Sequence, residues 1–151
     1  KKDWLLLTSG THEDFNMMTV SWGSIGHVWE KPFVQVFVRP QRHTRGFMDS
    51  TNTFTLSSFP MKYHEDLKLL GTLSGRDGDK LNQTALTLRN SKIVAAPSYN
   101  EAKLILECHT IYKQDMDPAG FADESVPANY PMKDYHRIYY GEILTAFIDG
   151  E

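Results

Sequence analysis

The stretch KLILECHTIYK, Lys103–Lys113, decides the fold class because its apolar and polar residues alternate with a period of two. The two faces that this spacing predicts carry, respectively, Leu104, Leu106, Cys108 and Tyr112, and Lys103, Glu107, His109 and Lys113. Such alternation is typical of a β-strand with one face in a core and the other in solvent. The sequence therefore predicts a long strand here.

Five more segments read as strands. FVQVFV at Phe33–Val38 is apolar on both faces apart from Gln35 and lies between two prolines, which indicates a strand buried on both sides. Thr53–Ser57 is β-branched and aromatic. In Ile138–Ile148, Gly141 predicts a bulge or a close approach of another chain segment. The remaining two predicted strands are Trp4–Thr8 and Met18–Trp22.

Helical spacing is rarer than strand alternation. It predicts short helices over Thr44–Ser50, Tyr63–Leu73 and Asp79–Ala85, with Thr44 as an N-cap of the first. Asp115–Pro131 is rich in proline and reads as a loop. Six or more strands with two or three short helices predict a mainly β protein, a closed or half-closed antiparallel barrel.

Composition limits the function classes. A length of 151 residues predicts a single domain, 1–151, and 40% hydrophobic residues indicate a folded chain. The formal net charge of −3 argues against nucleic acid as a partner. No apolar run has the length of a membrane helix, and Cys108 is the only cysteine, which argues against a metal site and favours the reducing cytoplasm.

Three polar segments are candidates for a binding site. In Asn16–Gly23, Thr19 and Ser21 face the same way on a strand and could grip an anion or a ring edge; the alternative is an ordinary solvent face. In Val38–Arg45, three arginines and a histidine directly follow a buried strand. This cluster could form a phosphate site; the alternative is a solvated turn. Ser74–Lys80 alternates cations with aspartates, which is equally typical of local salt bridges.

The three segments and two others together resemble one family. FNMMTVSWG, VRPQRHT, TFTLSSFP, SGRDGDK and a terminal HRIYYGEI stand in the order and at the spacing of flavin reductase-like FMN-binding proteins, with the flavoredoxin branch the most similar. The resemblance covers about Trp4 to Ile148. Gly78 departs from it, since the family commonly has an apolar residue there.

The resemblance implies an FMN-binding split barrel of Greek-key type that forms a homodimer, with FMN near the subunit interface. It implies electron transfer between NADH or NADPH and flavin, or between bound FMN and an acceptor. The alternatives are a flavoredoxin-type carrier with tightly bound FMN and a protein redox partner, and a non-catalytic FMN-binding module.

The resemblance also implies a set of site residues. Along the isoalloxazine it places Met18, Thr19, Ser21 and Trp22, and at the phosphate or ribityl oxygens it places Arg39, Arg42 and Thr44. Ser57, Ser58 and Phe59 would continue the flavin wall, and Arg76, Asp77 and Lys80 would form the phosphate loop. His136 matches a histidine beside the flavin face where nicotinamide would stack and is the expected catalytic residue, with no metal involved.

Overall fold

Seven antiparallel strands form the main sheet of the computed structural model, which describes residues 3–149. In chain order the strands of the chain are β1 (Leu5–Gly10), β2 (Phe15–Val20), β3 (Gly23–Val28), β4 (Lys31–Val38), β5 (Thr53–Ser58), β6 (Leu88–Arg89), β7 (Ser98–Tyr99), β8 (Leu104–Asp115) and β9 (Arg137–Ile148). The main sheet has the order β2-β1-β5-β8-β9-β4-β3, and β6 pairs with β7 in a separate ribbon.

The chain connectivity forces this sheet to curl. β2 and β3 are its two edges, and six strand spacings would separate them by about 29 Å in a flat sheet. Only Ser21 and Trp22 join these strands, and three Cα–Cα steps reach about 11 Å at most. The sheet therefore closes on itself while β2 and β3 stay unpaired, which is a split barrel and confirms the predicted fold class.

The inside of the barrel is the main core. Alternate residues of six strands point into it, as their period of two predicts. The core residues are Leu7, Met18, Val20, Val34, Val36, Val38, Phe54, Leu56, Leu106, Cys108 and Tyr139, together with Met48 from a helix. A Cβ on Gly141 would lie 2.3 Å from Cζ of Phe54, so the predicted close approach at this glycine is confirmed.

A second core covers the outer face of β1, β2, β5 and β8. The helix α2 (His64–Thr72) and the segment 81–102 bury Leu6, Met17, Phe59 and Ile105 there. For this reason the predicted polar face of Lys103–Lys113 is wrong at Glu107, which is buried and accepts hydrogen bonds from the backbone N–H groups of Lys92, Ile93 and Val94 at 2.7, 2.6 and 3.1 Å.

Both α-helices were predicted, and a third was not formed. α1 spans Thr44–Thr51, but its N-cap is His43. Thr44 is already helical, and its hydroxyl faces Asn16 of β2. Asp79–Ala85 contains only a 3-10 turn, Leu81–Gln83: Oδ1 of Asp79 accepts from the backbone N–H groups of Leu81 and Asn82 at its start, and the backbone is already extended at Thr84.

One strand boundary and one whole strand also differ from the sequence interpretation. The predicted strand Met18–Trp22 ends at Val20, because the chain crosses the split there. β3 has no counterpart in the prediction: it contains two glycines and is almost wholly exposed, so it lacks apolar alternation. β3 and β4 are joined by a tight turn in which Trp29 and Glu30 adopt positive φ of 51° and 58°.

Candidate functional site

A cleft of about 210 Å³ opens where the barrel is split. Its walls are the end of β2, the crossing residues Ser21 and Trp22, the end of β4 and the start of β9. The residues that line it are Met18, Thr19, Val20, Ser21, Trp22, Phe37, Arg39, Arg42 and His136. The fold thus brings together, from three distant segments, half of the site residues predicted from the sequence.

The two hydroxyls predicted to act together behave differently. Thr19 Oγ1 donates a hydrogen bond to the carbonyl oxygen of Leu67 in α2, so it holds the helix against the strand. Ser21 lies beyond the strand, is exposed, and its hydroxyl has no hydrogen-bond partner among residues 3–149. Ser21 is therefore the hydroxyl that a ligand in the cleft can use.

A smaller recess of about 90 Å³ adjoins the cleft and shares Arg42 with it. Asn16 of β2 donates from Nδ2 to Thr44 Oγ1 of α1 at 2.8 Å. A Cβ on Gly75 would lie 2.1 Å from Oδ1 of Asn16, so only glycine lets this loop pack on the strand. The three candidate segments of the sequence therefore meet at one point, through Asn16, Thr44 and Gly75.

Three cations around the recess have backbone carbonyls as partners. Arg42 Nη1 donates to Gly71 O at 2.9 Å, and Arg76 Nη1 donates to Gln41 O at 2.9 Å. Lys80 Nζ donates to Leu70 O and Leu73 O at 3.0 and 3.1 Å. Within the described range none of the three forms a salt bridge with a carboxylate, and Arg42 and Lys80 complement the carboxyl end of α2. The recess keeps an uncompensated positive charge.

Burial makes this charge costly. Desolvation, followed by repulsion from Arg42, lowers the pKa of the Lys80 ammonium from 10.5 to about 8. Burial also lowers the pKa of Arg42. An anion bound between these side chains would replace the lost hydration and favour their charged forms. The recess has the electrostatics of an anion site.

Arg39, which the resemblance implied at the phosphate or ribityl oxygens, already has partners within the chain. It forms an ion pair with Asp134 at 2.5 Å and donates to the carbonyl oxygen of Asn129 at 2.9 Å. Its guanidinium also lies 5.1 Å from the ring centre of Tyr130. Because Asp134 and the carbonyl oxygen of Asn129 already take up its N–H groups, Arg39 anchors the loop 129–136.

His136 forms one wall of the cleft at the start of β9. Its ring lies 5.3 Å from that of Trp22 and 6.1 Å from that of Phe37, and its Nδ1 is 2.8 Å from the hydroxyl oxygen of Tyr130. Burial, followed by the positive charge of Arg39, lowers the pKa of His136 to about 4. The imidazole is therefore neutral at pH 7.

Several predicted site residues lie outside the cleft. Ser57, Ser58 and Phe59 belong to β5 and its end, which β1 separates from β2, so about 10 Å lies between them and the split. Phe59 packs in the outer core, and Ser58 borders a different pocket beside Trp4 and His64. Asp77 is exposed on the 3-10 turn Gly75–Asp77 and borders neither the cleft nor the recess.

Asn16, Ser74 and Tyr130 belong to the site but were not singled out from the sequence. Asn16 and Ser74 open two of the candidate segments, so their position in those segments was the available signal. Tyr130 lies in a proline-rich loop with no periodic pattern, and its contact with His136 depends on how Arg39 folds that loop. No local pattern could have identified it.

Neither helix of the described part of the chain is long and apolar enough to cross a membrane. Residues 3–149 contain no group of three or more histidine, cysteine or acidic side chains arranged to hold a metal ion.

Solved structures share this fold. Flavoredoxin from Methanosarcina acetivorans superposes with a TM-score of 0.78 at 19% identity, covering 99% of this chain and 69% of that one. Flavoredoxin of Desulfovibrio vulgaris (Miyazaki F) gives 0.76 at 20% identity, covering 99% and 70%. At such identity these likenesses establish the fold alone.

Sequence comparison establishes the family. An uncharacterized protein of Archaeoglobus fulgidus is 26% identical over 151 residues, which cover 97% of this chain and 75% of that relative. A family model described as the flavin reductase like domain matches residues 3–151, nearly the whole chain. With its split barrel and the motifs that meet at the split, the chain belongs to the flavin reductase-like family.

Proposed function

We propose that this chain is an FMN-dependent oxidoreductase that moves electrons between NADH or NADPH and flavin, or from bound FMN to an acceptor. One observation carries the proposal: Arg42 joins a cleft walled by the rings of Trp22, Phe37 and His136 to a recess whose cations have no carboxylate partner in the described range. A ligand with a planar ring at one end and a phosphate at the other matches both halves.

The donor groups fit FMN. At the ring end, the free hydroxyl of Ser21 would hydrogen-bond polar atoms of the flavin, and Trp22 would pack beside the ring. At the phosphate end, Arg42 and Lys80 would supply charge-assisted hydrogen bonds. Thr44 accepts from Asn16, which leaves its hydroxyl proton free to donate.

The protein's own part in the reaction is to bind and orient. FMN, when bound, supplies the chemistry of accepting a hydride and releasing electrons, so no protein nucleophile is needed. Hydrogen-bond donors at the cleft would stabilise negative charge on the ring. His136, held neutral, would orient the nicotinamide amide without adding a charge beside it. The barrel wall of Met18 and Phe37 would exclude water.

The proposal is tested by absorption spectroscopy with added nicotinamide. Purified protein mixed with FMN should show a perturbed flavin spectrum, and NADH or NADPH should bleach it and be oxidised with turnover. The variant His136→Ala should lose turnover while keeping FMN affinity. Absence of any FMN binding would contradict an FMN-dependent oxidoreductase, and absence of oxidation of either nicotinamide with any flavin would contradict a nicotinamide-dependent reductase.

A flavoredoxin-type electron carrier is the second candidate. Trp22, at the mouth of the cleft, is 49% exposed, so a protein partner could approach the ring end directly. A carrier would retain FMN through dialysis and react slowly with both nicotinamides. Rapid oxidation of NADH or NADPH with turnover would exclude it.

We also propose that the chain forms a homodimer. Trp29, Tyr112, Tyr140 and Phe33 form an aromatic cluster on the outer sheet, with ring centres 5.5–6.2 Å apart, and Trp29 is 58% exposed. Beside it, β3 is an unpaired edge with Ile25 exposed. Light scattering should give twice the chain mass, and Trp29→Ser should reduce it. A monomer of the unaltered protein at high concentration would refute the dimer.

For location we propose the cytoplasm. The lone thiol, Cys108, is buried in the barrel core, and the chain offers no second cysteine for an internal disulfide. Fractionation of the source cells, with an antibody against the chain, tests this proposal.

A further inference from the structure

The hydroxyl of Tyr130 stands between two acceptors. Its oxygen is 2.8 Å from Nδ1 of His136 and 3.2 Å from Sδ of Met116, and the ring of Tyr130 is buried. The hydroxyl has one proton to donate. The acceptor that receives it determines which ring nitrogen of His136 carries a proton. This contact therefore controls what His136 presents to the cleft.

Two arrangements account for the protons. If Tyr130 donates to Nδ1, the neutral imidazole carries its own proton on Nε2. If Tyr130 donates to Met116 Sδ, then Nδ1–H donates to the tyrosine oxygen, and Nε2 is a bare acceptor. A thioether sulfur is a weak acceptor, whereas an imidazole nitrogen is a good one. The first arrangement is therefore favoured.

The second ring nitrogen is available to a ligand. Nε2 of His136 makes no hydrogen bond with any residue in the range 3–149, and the ring borders the cleft between Trp22 and Phe37. A proton on Nε2 would thus be an uncharged hydrogen-bond donor at the ring end of the cleft.

A rigid frame holds Tyr130 in this place. The guanidinium of Arg39 lies over its ring, and the same side chain bonds Asn129 O and Asp134. The backbone N–H of Met116 donates to the carbonyl oxygen of His136 at 2.9 Å, which fixes the other side. The hydroxyl has little freedom to turn away from Nδ1.

We propose that Tyr130 is a positioning residue: it holds His136 as the neutral Nε2–H tautomer, so that the cleft offers a donor to a carbonyl oxygen of the ligand, such as that of a carboxamide. The tautomer follows from the contacts alone; the carboxamide rests on the proposed function. Arg39, Asp134 and Arg42 are the charged groups nearest to His136 around the cleft, and the first of these opposes protonation of the ring.

The test is ¹⁵N NMR of the histidine rings in the ligand-free protein. The His136 signals are assigned by their absence in His136→Gln. In the unaltered protein at pH 7, Nε2 should show a pyrrole-type shift and Nδ1 a pyridine-type shift. The reverse pattern, or a positively charged ring, overturns the proposal.

Three variants refine the test. Tyr130→Phe should move the His136 shifts toward a mixture of tautomers, and unchanged shifts would contradict the proposal. Tyr135→Phe is the matched control, because Tyr135 lies 5.1 Å from Tyr130 but its hydroxyl bonds nothing in the described chain. Met116→Leu should leave the tautomer unchanged; a change there would mean that sulfur is the true acceptor.

Kinetics then separate this inference from the proposed function. Tyr130→Phe should lower kcat for nicotinamide oxidation by about fivefold to tenfold, the effect of one hydrogen bond, with the Kd of FMN unchanged. An unchanged kcat, or an equal loss in Tyr135→Phe, counts against positioning. If the unaltered protein binds no FMN, the proposed function fails, while the NMR result still decides the tautomer.

Discussion

Gly75 shows how one missing side chain shapes the site. An added Cβ would meet Oδ1 of Asn16, which is buried and bonded to Thr44 and so cannot move aside. Gly75→Ala should cost about 1–3 kcal/mol of unfolding free energy, since overpacking forces the loop to shift. Chemical denaturation measures this loss.

Gly46 provides the matched control for that substitution. A Cβ at Gly46 meets nothing within 4 Å, and the glycine lies inside α1, so Gly46→Ala should be neutral or stabilising. Equal destabilisation by both alanine variants would disprove the contact argument. FMN affinity should fall with Gly75→Ala alone.

The lowered pKa of Lys80 makes both the stability of the fold and the affinity for FMN depend on pH. Its pKa of about 8 in the fold is below 10.5, so the unfolded chain binds more protons between these values and stability rises with pH there. The bound anion favours the charged ammonium, so FMN affinity should fall as the pH rises above about 8. Titrations from pH 7 to 10 should show both trends, and Lys80→Met should abolish them.

A result in which Lys80→Met keeps the same decline in FMN affinity above pH 8 would show that another group is responsible. The side chains of Tyr99 and Tyr139 are poor candidates, because burial raises the pKa of both well above the ordinary value. The difference between the variant and the unaltered protein isolates Lys80.

At the scale of elements, Glu107 on β8 holds the segment that covers the outer core. Its carboxylate accepts from three consecutive backbone N–H groups of residues 92–94, and both carboxylate oxygens are used. Glu107→Gln puts an amide N–H₂ where an acceptor is needed. We expect a loss of about 1–3 kcal/mol in unfolding free energy.

Thermal and urea unfolding at pH 7 check this expectation. Glu101→Gln is the control. Glu101 also accepts a hydrogen bond from a backbone N–H, that of Thr87, but its side chain is only half-buried. Hydrogen exchange should accelerate at residues 92–94 in Glu107→Gln only. Unchanged exchange there would mean that apolar packing alone holds the segment.

Element prediction from the sequence succeeded where burial is periodic. Lys103–Lys113 was found because its apolar residues alternate, one face meeting the barrel core. Phe33–Val38 was found from its continuous apolar run, but burial on both sides was wrong: Val34, Val36 and Val38 are buried, whereas the outer face is only half-buried. β3 was missed because an exposed edge strand needs no apolar alternation. Glu107 was assigned to solvent because the segment that covers it comes from elsewhere in the chain, which a local pattern does not reveal.

For the site too, a pattern in the sequence identifies some residues, whereas those that depend on distant contacts give no signal. Ser21, Trp22, Arg42 and His136 line one cleft, and they could be grouped in advance because whole motifs, in order, carry the geometry of a family. Ser58 and Phe59 share a motif with a strand that lies too far from the split. Tyr130 depends on a single tertiary contact and had no signal.

At the scale of the whole molecule, the closure of the sheet creates the cleft. The two-residue crossing between β2 and β3 brings Ser21 and Trp22 against the start of β9, which is near in space only because the barrel curls. The chain has a net charge of −3, yet three cations without a carboxylate partner in the described range, Arg42, Arg76 and Lys80, lie together beside this split. Charge distribution, and not net charge, selects the ligand.

The most direct measurement is the Kd of FMN, by flavin fluorescence, for Arg42→Ala combined with Lys80→Ala. We predict weaker binding by on the order of 2–4 kcal/mol, the value of two charge-assisted phosphate contacts. The control, Arg45→Ala with Lys113→Ala, removes the same charge from side chains paired with Asp49 outside the recess and should change Kd little. Equal Kd values for the two double variants would contradict FMN binding at the split.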